Sequence, residues 1–445
     1  MIKALILAYD FPPYTSVGGQ RPFNWYKHFK DFGIYPVVIT RQWSIKYGNI
    51  LDYISPGDSD FEITEDTEHG KIIRTPYHPN LANRLYLKHG ENKNALLRKL
   101  VTAFYEFSEW VFTIGPKSGL YKGAKKYLKK NTVDIIIASG EPYVLFRYAY
   151  LLGEKYNIKW IADYRDAWVQ DKTRFKNGIH AKYFSFMERK IVSKAIHVTT
   201  VSEFIKKQLS LNLINSTISV FPNGFDTEIL KSIVPGEKRN NCLTISLAGT
   251  IYKWHPWKIF LLFVNDYIKE TGRKICINFF GINIINEITE FKNKELPEIR
   301  DNIKFFPRLN NLDLLHELLE SNILLLFNDY SISGTKIYDY LAVGRKILLC
   351  FSDDKNANLL KADHYCIEEN DQFSKQLQED IIKKTNSGIV IRNVKHLKEI
   401  FDDLFTEFEE NNKIECNSIG IEEFSRKKQT EALAKLIKQI VNSEK

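Results

Sequence analysis

A lysine and an aspartate stand three residues apart in Ser331-Ile332-Ser333-Gly334-Thr335-Lys336-Ile337-Tyr338-Asp339-Tyr340-Leu341-Ala342-Val343-Gly344-Arg345-Lys346. The Ser-Gly-Thr turn predicts a helix start, and Gly344 sits where a C-cap glycine belongs. Lys336, with the free N–H groups of the first turn (Gly334 and Thr335 leading in), can hold a diphosphate. Asp339 lies one turn on and can accept hydrogen bonds from two ribose hydroxyls. Charge-assisted bonds of this kind contribute about 1.5–3 kcal/mol each. The bland alternative, an exposed Lys–Asp pair, contributes well under about 1 kcal/mol.

Three further junctions carry chemistry of the same type. Ala8-Tyr9-Asp10-Phe11-Pro12-Pro13-Tyr14-Thr15-Ser16-Val17-Gly18-Gly19-Gln20-Arg21 brings Gly18 and Gly19 up to a helix expected from Pro22. Such a pair lets backbone N–H groups approach a phosphate; a Gly-rich turn without a ligand is the other reading. Trp160-Ile161-Ala162-Asp163-Tyr164-Arg165-Asp166-Ala167-Trp168 gathers Asp163, Arg165 and Asp166 after an apolar strand. These charges either orient acceptor hydroxyls or pair with one another and cap a helix. Ala248-Gly249-Thr250-Ile251-Tyr252-Lys253 offers Gly249, Thr250 and Lys253 as a second phosphate contact. No GxGxxG fingerprint or Walker A sequence is present. Asp58-Ser59-Asp60 follows Ser55-Pro56-Gly57 in a turn-rich stretch and reads as a solvated loop. The histidines show no ligand spacing, so no metal is expected.

Short apolar runs and longer amphipathic stretches place these junctions. Candidate strands are 3–8, 36–40, 133–138, 159–162, 196–201 and 217–221, then 243–248, 274–280, 303–306, 323–327 and 346–351. Most intervals admit a crossover helix, so two parallel α/β sheets are expected, with ligands beyond the carboxyl ends of their strands. The boundary is read at Pro222-Asn223-Gly224-Phe225-Asp226, dividing the chain into 1–223, 224–423 and a C-terminal surface helix, 424–445. Residues 43–79 read as an insertion with short strands.

At 445 residues, 44% hydrophobic and 26% charged, the chain is sized for two folded domains and is neither disordered nor fibrous. Its five cysteines are scattered and show no C-x-x-C, which points to reduced thiols and a cytoplasmic setting. The apolar start is too short for a signal peptide, and no run approaches the roughly 20 residues of a membrane span. Between Lys71 and Lys130, 13 Lys/Arg face three Glu, a local excess of +10 that accounts for the whole net charge of +9. The apolar residues at 96–112, within a basic amphipathic segment of about 94–130, have helical spacing. They form either a surface for anionic lipid or a core-facing stripe edged with solvated lysines. No nucleic-acid module is present, and no nucleic-acid partner is expected.

The order of Pro12-Pro13, Gly18-Gly19, Asp163-Tyr164-Arg165-Asp166-Ala167-Trp168, Val201-Ser202, Pro222-Asn223-Gly224-Phe225-Asp226, Gly249 and Lys336…Asp339-Tyr340-Leu341-Ala342 resembles the group-1, family-4 glycosyltransferases of the GT-B fold. Phe424-Ser425-Arg426, opening the last helix, extends the likeness over nearly the whole chain. The resemblance implies two Rossmann-like, doubly wound domains facing a cleft, with a nucleoside-diphosphate sugar held mainly by the second. It implies transfer to an acceptor hydroxyl with retention, on glycan or lipid-linked acceptors of bacterial surface polysaccharide, with no cofactor.

The sequence departs from the family pattern in one respect. Of two glutamates that the family carries seven residues apart, the second matches Asp339 and the first falls on Ser331. Glu141, in Ser139-Gly140-Glu141-Pro142, stands in for a catalytic histidine that the first domain lacks. Two alternatives follow: a non-catalytic subunit that binds nucleotide sugar or a partner transferase, or another enzyme on the same fold, such as a sugar-nucleotide epimerase.

Overall fold

The computed structural model describes residues 1–14, 16–44, 50–174, 178–227, 242–329, 334–354 and 377–443. The chain divides into two compact units, Met1–Pro222 with Lys427–Lys445, and Asn223–Arg426.

The first unit holds β1 (Ile2–Ala8), β2 (Ile34–Arg41), β3 (Ile63–Asp66), β4 (Lys71–Thr75), β5 (Ile135–Gly140), β6 (Trp160–Tyr164), β7 (His197–Thr200) and β8 (Ile218–Val220). Their order in the sheet is β3-β4-β2-β1-β5-β6-β7-β8, and all neighbours are parallel except β3 with β4. The helices are α1 (Val17–His28), α2 (Leu81–His89), α3 (Ala95–Phe112), α4 (Ser118–Leu128), α5 (Val144–Tyr156), α6 (Gly178–Val192) and α7 (Glu203–Ser210). The chain runs outward from β1 to β2 and returns on its other side as β5, which makes the β1/β5 carboxyl end the switch point of this sheet. Within 43–79, β3 and β4 lengthen the sheet beyond β2. Fully buried Arg41 fastens that part by donating to the carbonyls of Tyr53 and Ser55 at 2.7 and 2.8 Å. Asp58 and Asp60 are exposed.

The second unit is built from β9 (Leu243–Ala248), β10 (Ile275–Phe280), β11 (Ile303–Phe306), β12 (Ile323–Phe327), β13 (Lys346–Cys350) and β14 (Gly388–Ile391), all parallel, in the order β11-β10-β9-β12-β13-β14. Its helices are α8 (Trp257–Thr271), α9 (Ile285–Glu295), α10 (Asn311–Leu319), α11 (Lys336–Val343), α12 (Leu377–Thr385) and α13 (Val394–Asn411). Alternate residues of β12 enter different cores. Ile323, Leu325 and Phe327 pack with Phe260 and Phe401, while Leu324 and Leu326 pack with Leu318 and Leu341. Period-two side chains buried on both faces require helices on both faces, which is the doubly wound arrangement. The switch point lies between β9 and β12.

The last helix, α14 (Arg426–Asn442), is more than a surface element. Its Leu433, Ala434 and Ile437 are buried in the first unit's core against β1 and α1. The thiol expectation is corrected as well. Cys242 and Cys276, on neighbouring strand starts with Cα atoms 6.2 Å apart, form a disulfide; Cys350 and Cys416 are free, and Cys366 lies outside the described residues. The stripe on α3 does not face a core, because Leu96, Leu100, Phe104 and Phe107 are exposed.

Candidate functional site

At the second unit's switch point, the end of β9 and the start of α11 are tied together. The Ala248 N–H donates to the Tyr340 hydroxyl at 2.9 Å. Lys336 Nζ donates to the Thr250 carbonyl, and its Cε lies 3.0 Å from where a Cβ on Gly249 would stand. Gly249, Thr250 and Lys336 therefore form one cluster. α11 spans Lys336–Val343 with Gly344 at its C-cap in the left-handed region (φ 67°), as the glycine placement predicts. Its N-cap, Thr335, makes no side-chain capping bond, so among the described residues the first-turn N–H groups, which carry the positive end of the helix dipole, have no capping side chain. Burial pushes the Lys336 ammonium down to about 8, against the pull of Asp329.

Lys336 and Asp339 form no ion pair with each other, and the charge that acts on Asp339 is that of Arg426. Part of its surface reaches solvent, yet the protein around it pushes its carboxyl up to about 6, with Arg426 pulling the other way. Arg426 arrives through a backbone clamp. The Phe225 N–H donates to the Phe424 carbonyl at 3.2 Å, and the Arg426 N–H donates to the Phe225 carbonyl at 2.9 Å. Gly224 is required there, since a Cβ would overlap the Phe424 carbonyl oxygen. The charge of Asp226 also acts on Arg426.

His255 and Asp329 form a buried pair that no ligand spacing in the sequence marks. His255 Nδ1 accepts from the Tyr252 N–H at 3.1 Å, so its Nε2 carries the proton and donates to Asp329 Oδ1 at 2.9 Å. Trp254 Nε1 donates to the same oxygen at 3.1 Å, and Tyr252 stacks on Trp254 with centroids 4.6 Å apart. Lys253 is exposed in the same turn, Gly334 is half-buried just before α11, and Ser331 lies outside the described residues. Among the described residues, no cluster of His, Cys, Asp or Glu suits a metal ion.

In the first unit the charged run after β6 divides. The strand extends through Tyr164, two residues past its expected end, so Asp163 is still inside the sheet and fully buried. Its carboxylate accepts from Arg21 Nε and Nη2 at 3.0 and 2.9 Å, Ser139 Oγ at 3.2 Å and Thr199 Oγ1 at 2.8 Å. With both oxygens engaged by these donors and no exposed surface, it joins α1, β5, β6 and β7 from inside the sheet. Arg165 emerges at the strand end, donating to the Gly140 and Glu141 carbonyls at 2.5 and 2.8 Å. Its Nη1 lies 4.0 Å from Asp10 Oδ2. Asp10 accepts from Ser16 Oγ at 2.8 Å through Oδ2, whereas its buried Oδ1 has no hydrogen-bond partner among the described residues. Burial raises its carboxyl above the usual range, with Arg165 opposing.

The glycine pair packs onto this cluster. The Gly19 N–H is taken by Ser16 Oγ at 3.0 Å, and a Cβ on Gly18 would overlap the Arg165 guanidinium. Gly18→Ala is expected to displace Arg165 and lower stability by about 1–3 kcal/mol, read as a fall in Tm. Glu141 forms a two-pronged ion pair with Arg174 at 2.8 and 3.3 Å. Asp166 has an exposed surface, but the protein around it raises its carboxyl, opposed by Arg165 and Arg174. Asp10, Glu141, Arg165 and Asp166 are thus brought together around the carboxyl ends of β1, β5 and β6, while Asp163 lies beneath them.

The same loop rests on a buried acid. Glu188 accepts from Tyr164 Oη at 2.9 Å, Gln170 Nε2 at 3.0 Å and Asn212 Nδ2 at 2.5 Å, and burial pushes it up to about 7. The folded state therefore holds this proton more tightly than the unfolded chain. Its stabilising contribution is complete below the ordinary glutamate value and is lost as pH rises through about 7. Glu188→Gln is expected to change stability little at pH 5 and to raise it by about 1–3 kcal/mol at pH 8, measured by urea unfolding.

Residues 82–229 match the model for Glycosyltransferase Family 4. No curated protein matches the sequence. Sucrose-phosphate synthase from Thermosynechococcus elongatus has a similar structure, with TM-score 0.58 and 12% identity over 100% of both chains. A glycosyltransferase from Rickettsia africae ESF-5 gives TM-score 0.53 and 16% identity over 99% of both chains. HepE from Anabaena, solved with UDP and glucose, gives TM-score 0.50 and 11% identity over 99% of this chain and 100% of its own. At these identities the structures establish the fold. With its two Rossmann-like units the chain has the GT-B fold, and within it residues 82–229 are similar to Glycosyltransferase Family 4.

Proposed function

We propose that this protein is a glycosyltransferase that moves a sugar from a nucleoside diphosphate to an acceptor hydroxyl with retention of anomeric configuration. The observation that carries this reading is the cluster at the β9/β12 switch point. There Lys336 and the uncapped start of α11 suit a diphosphate, and Asp339 beside Arg426 suits a ribose. A cation and helix N–H groups aimed at the leaving diphosphate stabilise the charge that builds on it as the glycosidic bond breaks. Gly249 and Thr250 hold Lys336 in place. Lys253 and the Gly334-Thr335 turn complete the donor side.

On the acceptor side, Arg165 and Asp166 orient the hydroxyl, and Asp10 joins them in place of Asp163. Glu141, held by Arg174, is a candidate to take the hydroxyl proton. The attack comes from the face that the diphosphate leaves. HepE was solved with UDP, which makes a uridine nucleotide the first donor to try. The acceptor is read as a glycan or lipid-linked saccharide of bacterial surface polysaccharide. The protein is read as cytoplasmic and peripheral to the inner face of the membrane.

The test is to supply UDP-, GDP- and ADP-linked sugars with lipid-linked glycan acceptors and determine the product linkage by NMR. Nucleoside diphosphate released only with acceptor present, and an α-linked product from an α-linked donor, are the expected results. Consumption of donor without acceptor, giving an isomerised sugar, would replace transfer by epimerisation.

A further inference from the structure

We propose that α3 is a membrane-docking helix, which lays its exposed apolar stripe into the surface of a bilayer containing anionic lipid. At about 100° per residue, Leu96, Leu97, Leu100, Phe104, Phe107 and Val111 fall within one arc about 100° wide. In a soluble helix such a stripe faces a core. Here Leu96, Leu100, Phe104 and Phe107 are 72, 62, 63 and 54% exposed. The charges around the stripe have one dominant sign. Arg84, Lys88, Lys93 and Lys99 are exposed, and Arg98 lies over the Tyr86 ring at 4.9 Å. Against these five cations stand exposed Glu91 and Glu106, since Glu109 is buried and paired with Lys117 at 2.9 Å.

An apolar face rimmed by lysine and arginine matches a lipid surface. Acyl chains take the stripe, anionic headgroups take the cations, and the long basic side chains reach out to the headgroup level. Pairing with a second copy is disfavoured, because a two-fold interface would set one basic rim against another. No described helix is long and apolar enough to cross a membrane, so α3 lies in the interface plane.

The helix is fixed at its C-terminal end. Trp110 stacks on Trp168 with centroids 5.1 Å apart, and Arg147 Nη2 donates to the Val111 carbonyl at 2.8 Å. Trp168 stacks in turn on Tyr143, whose hydroxyl donates to the Asp166 carbonyl at 3.0 Å. Docking would therefore anchor the loop that carries Asp166. The inference gives the peripheral-membrane reading above its docking element and does not rest on transferase activity, since lipid binding requires no turnover.

The experiment is flotation of the full-length protein with phosphatidylcholine vesicles, with and without phosphatidylglycerol, at low and high salt. Wild type is expected to float with the anionic vesicles at low salt. Phe104→Ser/Phe107→Ser and Lys93→Glu/Lys99→Glu should each reduce binding about tenfold or more. Both pairs are exposed, so an unchanged Tm will show that the fold survives. Absence of wild-type flotation, or binding unaltered by either variant, overturns the proposal. So does a concentration-dependent dimer, broken by the Phe variant, with no vesicle binding.

Discussion

Lys336→Ala is expected to lower kcat/KM about 10²–10³-fold, the loss typical when one donor to a developing negative charge is removed. The Lys336 ammonium is held against the Thr250 carbonyl at the head of a helix whose N-cap, Thr335, makes no side-chain capping bond. Truncation leaves the helix dipole but removes the positive charge of Lys336 from the head of the helix. The pH profile should carry the same signature. Burial sets Lys336 at about 8, so diphosphate affinity should fall as pH rises through that value and the ammonium loses its proton. Asp339 sits at about 6, so affinity should also fall as pH drops below 6 and its carboxylate is protonated. Calorimetry across this range should show a maximum between the two, and Asp339→Asn should remove the acidic limb. A Lys336→Ala enzyme with unchanged turnover would show that the cluster does not contact the phosphates.

Asp163→Ala should destabilise the protein by about 3–5 kcal/mol, because it leaves a buried arginine without its counter-ion. Arg21 makes a bidentate bond to Asp163 and also donates to the Phe221 carbonyl at 2.7 Å, and both charged side chains are largely removed from water. Ser139 and Thr199 would lose their acceptor at the same time. The loss should appear in urea unfolding as a lower midpoint with little change in slope. Nucleotide affinity of the folded variant should be retained. A change below about 1 kcal/mol, with activity abolished, would return Asp163 to the reacting groups.

Asp163 also shows where the sequence is legible and where it stops. The strands of both sheets are readable because parallel strands buried on both faces are near-continuous apolar runs. α11 is readable because Gly344 marks its end and Lys336 its start. What the runs do not specify is the last residue of a strand. In Asp163-Tyr164-Arg165-Asp166 two further residues of sheet turn the first aspartate inward, so chemically alike neighbours receive opposite environments. β14 is not legible, because Gly388-Ile389-Val390-Ile391 is too short to stand out between polar stretches.

Partners distant in sequence were out of reach for another reason. Arg426 reaches Asp339 only through the backbone clamp at Phe225, and Arg21 meets Asp163 from 142 residues away. No local pattern encodes either pairing. Cysteine spacing likewise gave no sign that Cys242 and Cys276 meet, because register between β9 and β10 brings them together. Helical periodicity showed that α3 has an apolar side but not what covers it.

The most direct test is calorimetric titration of the full-length protein with UDP, GDP and ADP at pH 7, beside Asp339→Ala. One nucleotide is predicted to bind, with affinity reduced about tenfold or more in the variant. Binding of none of the three, or binding that Asp339→Ala leaves unchanged, would contradict a donor site at α11.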